Sequence, residues 1–267
     1  MIPYQFQYHR AKSLEDAASR LAQSPDAKLL AGGQTLIAAM KMRLASPTEL
    51  IDISQLKDLA FIRASDTGVA IGAGATHEAV AQSADVKRVI PALVELASMI
   101  GDPAVRHMGT LGGSVANNDP AADYPAAVLA LNATIKTMRR TIAADDFFTG
   151  MFETALAENE IVTQVDFPKA ERAGYAKFRN PASRYAMVGV FVAKNGNDVR
   201  VAVTGAAPCV FRVPDMEAAL AKNFSPDAVA HIAVDASDLN SDIHGSAEYR
   251  ANLVTVMAKR AVASALA

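Results

Sequence analysis

The sequence predicts an α+β protein with two domains, of which the second is the smaller. Its 267 residues are enough for one large or two ordinary domains, and 51% of them are hydrophobic against 20% charged, which is typical of globular proteins with a substantial core. The pattern changes near Pro168, after which alternating strands precede helices. Strands followed by helices are typical of an α+β domain. We therefore expect one domain over 1–168 and another over 169–267.

The first domain is predicted to consist of short helices and strands. Ser13 is suited to be a helix N-cap, and Asp16 three residues later completes a variant of the capping box. A longer amphipathic helix is predicted over 83–100, because its apolar residues recur on one helical face. The remaining predicted elements are strands over 28–31, 49–54, 134–138 and 160–167, a hairpin within 61–80 with its turn at 65–68, and helices over 35–44, after Thr76, and over 125–131.

The second domain is predicted to contain a hairpin and three helices. Residues 174–208 alternate strongly between apolar and polar, and Asn195-Gly196 is a typical two-residue hairpin turn. Helices are predicted over 214–221, 225–233 and 246–266.

Composition and charge exclude several classes of function. The net charge is −2 and the 26 basic residues are scattered, so no nucleic-acid or anionic-lipid surface is indicated. The single cysteine, Cys209, excludes a disulfide framework and any zinc or iron–sulfur cage built from this chain's thiolates. No signal-peptide core and no apolar run of about 18 residues is present, so we expect a cytoplasmic protein without a membrane span.

The first candidate site is the stretch AGGQTL at residues 31–36. A strand, two glycines and a helix start would direct several backbone N–H groups at one point, which suits a diphosphate. The alternative is an ordinary strand-to-helix turn, and the stretch by itself does not exclude it. A second glycine-bearing stretch, GAGATH at 72–77, has His77 where a dinucleotide fingerprint requires its third glycine. We interpret it as a strand end followed by a helix cap.

The second candidate site lies in RHMGTLGGSVANNDPAADYP, residues 106–125. Thr110, Gly112, Gly113 and Ser114 offer small side chains, hydroxyls and exposed backbone donors, while the asparagines and aspartates that follow add acceptors for sugar or ribityl hydroxyls. The alternative is a long surface loop of turn-forming residues. Two such sites about eighty residues apart favour an extended ligand with a diphosphate and a polyol, such as FAD.

No catalytic apparatus for substrate turnover is evident. None of the five histidines lies in a metal-binding or nucleophile-elbow motif. His107 is the histidine close to the proposed site, and a surface or supporting role fits it better than a covalent flavin link. Cys209 ends an apolar strand and is most simply a core residue. We therefore predict neither catalytic residues nor a metal site.

With these motifs in hand, the whole chain resembles the FAD-binding medium subunit of the molybdenum hydroxylase family, of the carbon monoxide dehydrogenase and xanthine dehydrogenase type. The resemblance rests on 31–36, 100–125 and 177–190, which match in order and spacing. It implies a vanillyl-alcohol-oxidase (PCMH-type) FAD domain with lobes at about 1–55 and 56–168, followed by a C-terminal domain like that of the carbon monoxide dehydrogenase flavoprotein.

The same resemblance implies the residues that contact FAD. Residues 30–36 would surround the diphosphate, 110–114 would line the flavin and inner phosphate, and Val162 would pack on the ring. A basic residue, Lys177 or Arg179, would face the pyrimidine edge, where a cation stabilises negative charge. The full implied set is Leu30, Ala31, Gly32, Gly33, Gln34, Thr35, Leu36, Ile100, Thr110, Leu111, Gly112, Gly113, Ser114, Asn117, Asp123, Val162, Lys177, Arg179 and Tyr185.

In function, the resemblance implies an electron-transfer subunit with noncovalent FAD. A small partner would carry 2Fe–2S clusters, a large partner would carry the molybdopterin cofactor and oxidise the substrate, and the heterotrimer would dimerise. Two other hypotheses are a self-sufficient flavin oxidase of the vanillyl-alcohol type and a binding module that has lost its flavin. Substrate and electron acceptor are not indicated by the sequence.

Overall fold

A computed structural model describes residues 2–267. The first lobe contains a three-stranded parallel sheet in the order β1-β3-β2, with a helix packed on it. Ala17 of that helix and Ile51 of the central strand are fully buried in a small core. The elements of this lobe are β1 (Gln7–Arg10), α1 (Leu14–Gln23), β2 (Lys28–Leu30), α2 (Leu36–Lys41) and β3 (Glu49–Asp52), followed by a 3-10 helix at Lys57–Leu59.

The second lobe contains a five-stranded antiparallel sheet in the order β4-β5-β10-β6-β7. Helices cover this sheet, and α8 is buried along its whole length. The elements are β4 (Ile62–Ala64), β5 (Gly68–Gly72), α3 (His77–Ala81), α4 (Ala84–Val89), α5 (Pro91–Ser98), α6 (Pro103–Met108), α7 (Leu111–Asn117), α8 (Tyr124–Ala130), β6 (Thr134–Thr137), β7 (Thr141–Ala143), α9 (Ala144–Phe147), β8 (Phe148–Gly150), β9 (Glu153–Thr154) and β10 (Val162–Pro168).

The C-terminal part forms a four-stranded antiparallel sheet in the order β11-β12-β13-β14. Phe191 and Ala202 on one face of this sheet belong to the core of the second lobe, and Val190 and Val201 on the other face pack in a separate core beneath α11. Burial on both faces explains why β12 is apolar almost throughout. The elements are β11 (Arg172–Arg179), β12 (Ala186–Asn195), β13 (Asp198–Thr204), β14 (Phe211–Arg212), α10 (Pro214–Lys222), a 3-10 helix at Pro226–Val229, and α11 (Ala247–Leu266).

Three predicted elements differ in the structure. The helix predicted over 83–100 is divided into α4 and α5, because Ile90 leaves the helical conformation before Pro91, which has no N–H and restricts the residue before it. The helix predicted over 225–233 is only a 3-10 turn. The stretch considered as a loop at 106–117 is largely helical, with α6 and α7 separated by Gly109 and Thr110.

Candidate cofactor site

A cavity of about 950 Å³ opens between the β2–α2 turn, helices α6 and α7, the start of β10 and the segment before β12. This volume is at the upper end of the range for ligand pockets. Of the nineteen predicted contact residues, the structure places these at the cavity: Leu30, Ala31, Gly32, Gly33, Gln34, Thr35, Leu36, Ile100, Thr110, Gly112, Gly113, Ser114, Asn117, Asp123, Val162 and Tyr185.

One side of the cavity is the turn at residues 31–35, which we call the first wall. Gly33 has φ +68°, a left-handed conformation that favours glycine. Within residues 2–267, the backbone N–H groups of Gly32, Gly33 and Gln34 have no hydrogen-bond acceptor. Unpaired, half-exposed N–H groups in a turn before a helix are suited to an anion such as a diphosphate.

Residues 109–123 form the second wall of the cavity, and this wall contacts the first one. A Cβ on Gly32 would lie 2.1 Å from the carbonyl oxygen of Met108, so only glycine permits this approach. A Cβ on Gly113 would lie 3.9 Å from the Cβ of Ala31. The two glycine-bearing segments, about eighty residues apart in sequence, thus converge on one cavity.

The second wall already uses the backbone donors at the start of α7. The N–H of Leu111 donates to the Ala75 carbonyl at 2.9 Å, and that of Gly112 to the Ala73 carbonyl at 2.8 Å. Thr110 accepts from the next two N–H groups, through its hydroxyl from Gly113 and through its carbonyl from Ser114.

The expectation that Gly112, Gly113 and Ser114 present exposed backbone donors is therefore wrong, because α7 packs against the end of β5 and is capped by Thr110. The polar groups of this wall that remain for a ligand include side chains. Among the described residues, the Ser114 hydroxyl and the Asn117 carboxamide have no protein partner.

Asp123 is held in a buried ion pair. Its carboxylate lies 2.9 Å from Lys177 Nζ and accepts a hydrogen bond from the Tyr175 hydroxyl at 2.5 Å. Lys177 Nζ also donates to the Met99 carbonyl at 3.0 Å. Burial raises the pKa of Asp123, and the ammonium of Lys177 opposes that effect. The same burial, together with Asp123, raises the pKa of Tyr175.

Three predicted contact residues lie away from the cavity. Leu111 is fully buried in the core of the second lobe. The side chain of Lys177 is fully buried in its pair with Asp123, and Arg179 is exposed at the end of β11. Neither basic residue lines the cavity, and that one of them faces a flavin ring stays a prediction.

The remaining wall is apolar and aromatic. Val162 begins β10, and Ile100 follows α5. Tyr185 follows two residues with left-handed backbone, Ser183 at φ +62° and Arg184 at φ +60°. Its hydroxyl accepts from the Asn180 carboxamide at 2.9 Å, which fixes the ring at the cavity. An apolar wall with one aromatic residue suits a planar ring system.

One residue of the second wall, Asn118, was expected to offer an acceptor to a ligand and has a structural role instead, and one residue at the cavity, His77, was missed. Asn118 ends α7 with φ +43°, is 1% exposed and donates to the carbonyls of Gly150 and Glu153, so it attaches the β8–β9 hairpin to α7. Asparagine is a common left-handed helix terminator, which was an available signal. His77 was interpreted only as the residue after a helix cap, yet it lines the cavity.

Other predicted features appear as follows. Thr76 caps α3 by accepting from the Ala79 N–H at 3.1 Å. His107 is exposed, lines the cavity and donates from Nδ1 to the Pro103 carbonyl at 2.7 Å.

Over residues 2–267, no group of three or more histidine, cysteine or acidic side chains could hold a metal ion. None of the helices in that range combines the length and apolar character that a bilayer crossing requires.

Comparison with known proteins decides the family. The model described as the FAD binding domain in molybdopterin dehydrogenase matches residues 4–170, and the CO dehydrogenase flavoprotein C-terminal domain matches residues 173–265. The chain belongs to this flavoprotein family. It is an FAD-binding subunit of the molybdenum hydroxylase type, within an oxidoreductase class whose members include carbon monoxide and xanthine dehydrogenases.

The relatives match over nearly their whole length. The nicotine 6-hydroxylase medium subunit of Paenarthrobacter nicotinovorans is 38% identical over 97% of this chain and 96% of its own. The carbon monoxide dehydrogenase medium chain of Hydrogenophaga pseudoflava is 37% identical over 100% of this chain and 99% of its own. A solved structure of the Hydrogenophaga pseudoflava carbon monoxide dehydrogenase, in a form that lacks the Mo-pyranopterin moiety, superimposes with a TM-score of 0.87 at 36% identity, covering 100% and 99% of the two chains.

The residues at the cavity fit FAD, the cofactor of this family. The first wall offers unpaired N–H groups to a diphosphate, and the apolar wall offers Ile100, Val162 and Tyr185 to a flavin ring. Ser114 and Asn117 lie on the second wall, where they can bind polyol hydroxyls. The individual contacts remain predictions.

Proposed function

We propose that this chain is the electron-transfer subunit of a molybdenum hydroxylase, with noncovalently bound FAD. Electrons would arrive from 2Fe–2S clusters on a small partner subunit and leave to an external acceptor. The substrate would be oxidised at the molybdopterin cofactor of a large partner subunit. We further propose that the three chains form a heterotrimer that dimerises.

The observation that carries the proposal is the convergence of the two walls on one cavity. The donors of the first wall suit an anionic linker, and the apolar residues about the cavity suit a ring. Full-length similarity to proteins named medium subunits or medium chains supports a role within a larger complex.

Each part of the cavity has a distinct task in this proposal. FAD, when bound, supplies reversible acceptance of electrons in single or paired steps. The first wall anchors the diphosphate through its N–H groups, and Ser114 and Asn117 orient the polyol. The second wall keeps its shape because the backbone donors at the start of α7 and the carboxylate of Asp123 are paired within the protein. Val162 and Tyr185 exclude water from the ring.

The test is reconstitution of the purified chain, alone and with its two partners. We expect the isolated chain to bind FAD, to release all of it on denaturation, and to leave aldehydes, purines and carbon monoxide unoxidised. Only the three-chain complex should reduce an external acceptor with substrate. Substrate turnover by the isolated chain, or flavin that stays on the denatured polypeptide, would instead support a self-sufficient flavin oxidase.

A further inference from the structure

His77 is a buried histidine in the wall of the cavity. His77 lines the cavity, yet the residue is only 5% exposed. Within residues 2–267, its Nδ1 is fully buried and has no hydrogen-bond partner. Buried polar groups in proteins are nearly always paired, so such a group beside a ligand cavity needs an explanation.

The ring of His77 is fixed where the two walls meet. The backbone N–H of His77 donates to the Gly109 carbonyl at 2.9 Å. The ring nitrogen Nε2 lies so close to Gly109 that a Cβ there would be 2.6 Å from it. Gly109 follows Met108, whose carbonyl packs on Gly32 of the first wall. The imidazole therefore lies beside the segment that faces the diphosphate-binding turn.

The charge state of the imidazole follows from its surroundings. Burial, and secondarily the Arg106 guanidinium, lowers the pKa of His77 to about 4, so the ring is neutral at neutral pH and has one N–H donor. Arg106 is itself paired with Glu78 at 3.0 Å. The other titratable group against the ring is Tyr124, whose ring centroid is 5.4 Å away and whose pKa is raised by burial and by Asp123.

The tautomer follows from the same burial. A buried N–H without an acceptor is rarer in proteins than an unused acceptor. The proton therefore belongs on Nε2, beside Gly109, and not on the fully enclosed Nδ1.

We propose that His77 is a further FAD-binding residue, whose Nε2–H donates a hydrogen bond to a phosphate oxygen of the FAD diphosphate. The first wall supplies backbone donors from one side, and His77 supplies a neutral side-chain donor from the other. This inference rests on FAD occupying the cavity, as the proposed function requires.

The experiment compares ligands that share only parts of FAD. Dissociation constants of FAD, ADP and riboflavin are measured by calorimetry on full-length apoprotein, for the wild type and for His77→Leu. We expect His77→Leu to weaken the binding of FAD and of ADP by about tenfold, which corresponds to one hydrogen bond. The affinity for riboflavin, which lacks the diphosphate, should stay within about twofold of the wild-type value. Equal weakening of riboflavin and ADP, or unchanged FAD binding, would overturn the proposal.

Two amide variants identify the nitrogen involved and remain informative if the leucine variant does not fold. The amide nitrogen of His77→Gln reaches about as far as Nε2, and that of His77→Asn about as far as Nδ1. We expect the FAD affinity of the glutamine variant to stay within about threefold of the wild-type value. The FAD affinity of the asparagine variant should fall by about tenfold. Equal affinities for the two variants, or a stronger asparagine variant, would contradict a bond from Nε2.

Tyr124→Phe is the matched control. The Tyr124 hydroxyl is also buried without a partner among the described residues, but Tyr124 does not line the cavity. This variant should leave the affinities for FAD and ADP within about twofold; a loss equal to that of His77→Leu would show a general effect of the core and overturn the proposal. Wild-type apoprotein that binds no FAD would instead refute the proposed function.

Discussion

The two walls of the cavity have similar sequences but opposite hydrogen-bonding states. Both contain adjacent glycines, which lie before α2 in the first wall and within α7 in the second. The first wall leaves the N–H groups of Gly32 and Gly33 unpaired, whereas the second wall pairs those of Gly112 and Gly113 within the protein. The glycines of the first wall thus serve a ligand and a left-handed turn. Those of the second wall serve close packing, since a Cβ on Gly112 would lie 2.4 Å from the Cβ of Ala73. Substitutions should therefore affect ligand affinity at the first wall and stability at the second.

The largest effect is expected from Lys177→Met. This change leaves the Asp123 carboxylate buried without its cation, so the free energy of unfolding of the apoprotein should fall by about 3–5 kcal/mol. Denaturant titration measures it, and the double variant Asp123→Asn/Lys177→Met should recover part of the loss. If Lys177 instead bound the flavin, the single variant would lose FAD affinity at unchanged apoprotein stability.

His77 should make the free energy of unfolding depend on pH, with an effect of similar size. Its pKa is about 4 in the folded protein against an ordinary 6.5, so the unfolded chain binds an extra proton between these values. The contribution to stability is fully present above pH 6.5 and falls by about 3 kcal/mol as the pH drops to 4. Apoprotein unfolding measured across this window should show that slope in wild type and a flatter one in His77→Leu. Equal slopes would contradict the buried neutral imidazole.

Gly112→Ala should destabilise the apoprotein by about 1–3 kcal/mol, because the added methyl group meets the backbone of Ala73. Gly113→Ala, one position along the same helix, is the control. A Cβ on Gly113 would lie 2.9 Å from the Thr110 Oγ1, and its next neighbouring atom is 3.9 Å away. The midpoint of thermal unfolding should therefore shift much less in this variant. An equal shift for both variants would argue against the close-packed description of this wall.

Gly33→Ala tests the first wall. Alanine at φ +68° is strained by about 1–2 kcal/mol. In the apoprotein the half-exposed turn can change its conformation and relieve this strain, but binding of FAD requires the original conformation and therefore restores the strain. We expect FAD to bind about tenfold more weakly, measured by flavin fluorescence. Gly196→Ala introduces the same kind of strain at φ +56° in a hairpin turn with no atom within 4 Å. That control should leave the FAD affinity unchanged.

The smallest effect is expected from Thr110→Val. The variant loses the hydroxyl that caps α7 through the Gly113 N–H, which should reduce apoprotein stability by about 1 kcal/mol. Thr110→Ser, which keeps the hydroxyl, should unfold at nearly the wild-type denaturant concentration. A valine variant as stable as the serine variant would show that the cap contributes nothing.

Several features could be predicted from local sequence because their causes are local. Glycine pairs, the Thr76 cap and the hairpin turn at Gly196 depend on backbone conformations that a few neighbouring residues determine. That turn consists of Gly196-Asn197, one residue later than the predicted Asn195-Gly196, because Asn195 still pairs with Asp198. The break in the helix predicted over 83–100 was equally local, since Pro91 marks it, but the apolar periodicity on both sides obscured it.

Whether each polar group is paired within the protein could not be predicted, because its partner is distant in the sequence. Lys177 pairs with Asp123, 54 positions away, and the Gly112 N–H meets the Ala73 carbonyl only when α7 packs on β5. Such pairings have no local sequence signature.

The sequence by itself determined the two glycine-bearing segments, the family and most of the residues that surround the cavity, because each motif consists of residues that are adjacent in the sequence. Only the tertiary structure decided which of those groups are left for a ligand. A buried donor or charge pairs with whatever the fold brings within reach, so Lys177 and the α7 amides are used internally, while the amides of Gly32 and Gly33 remain unpaired.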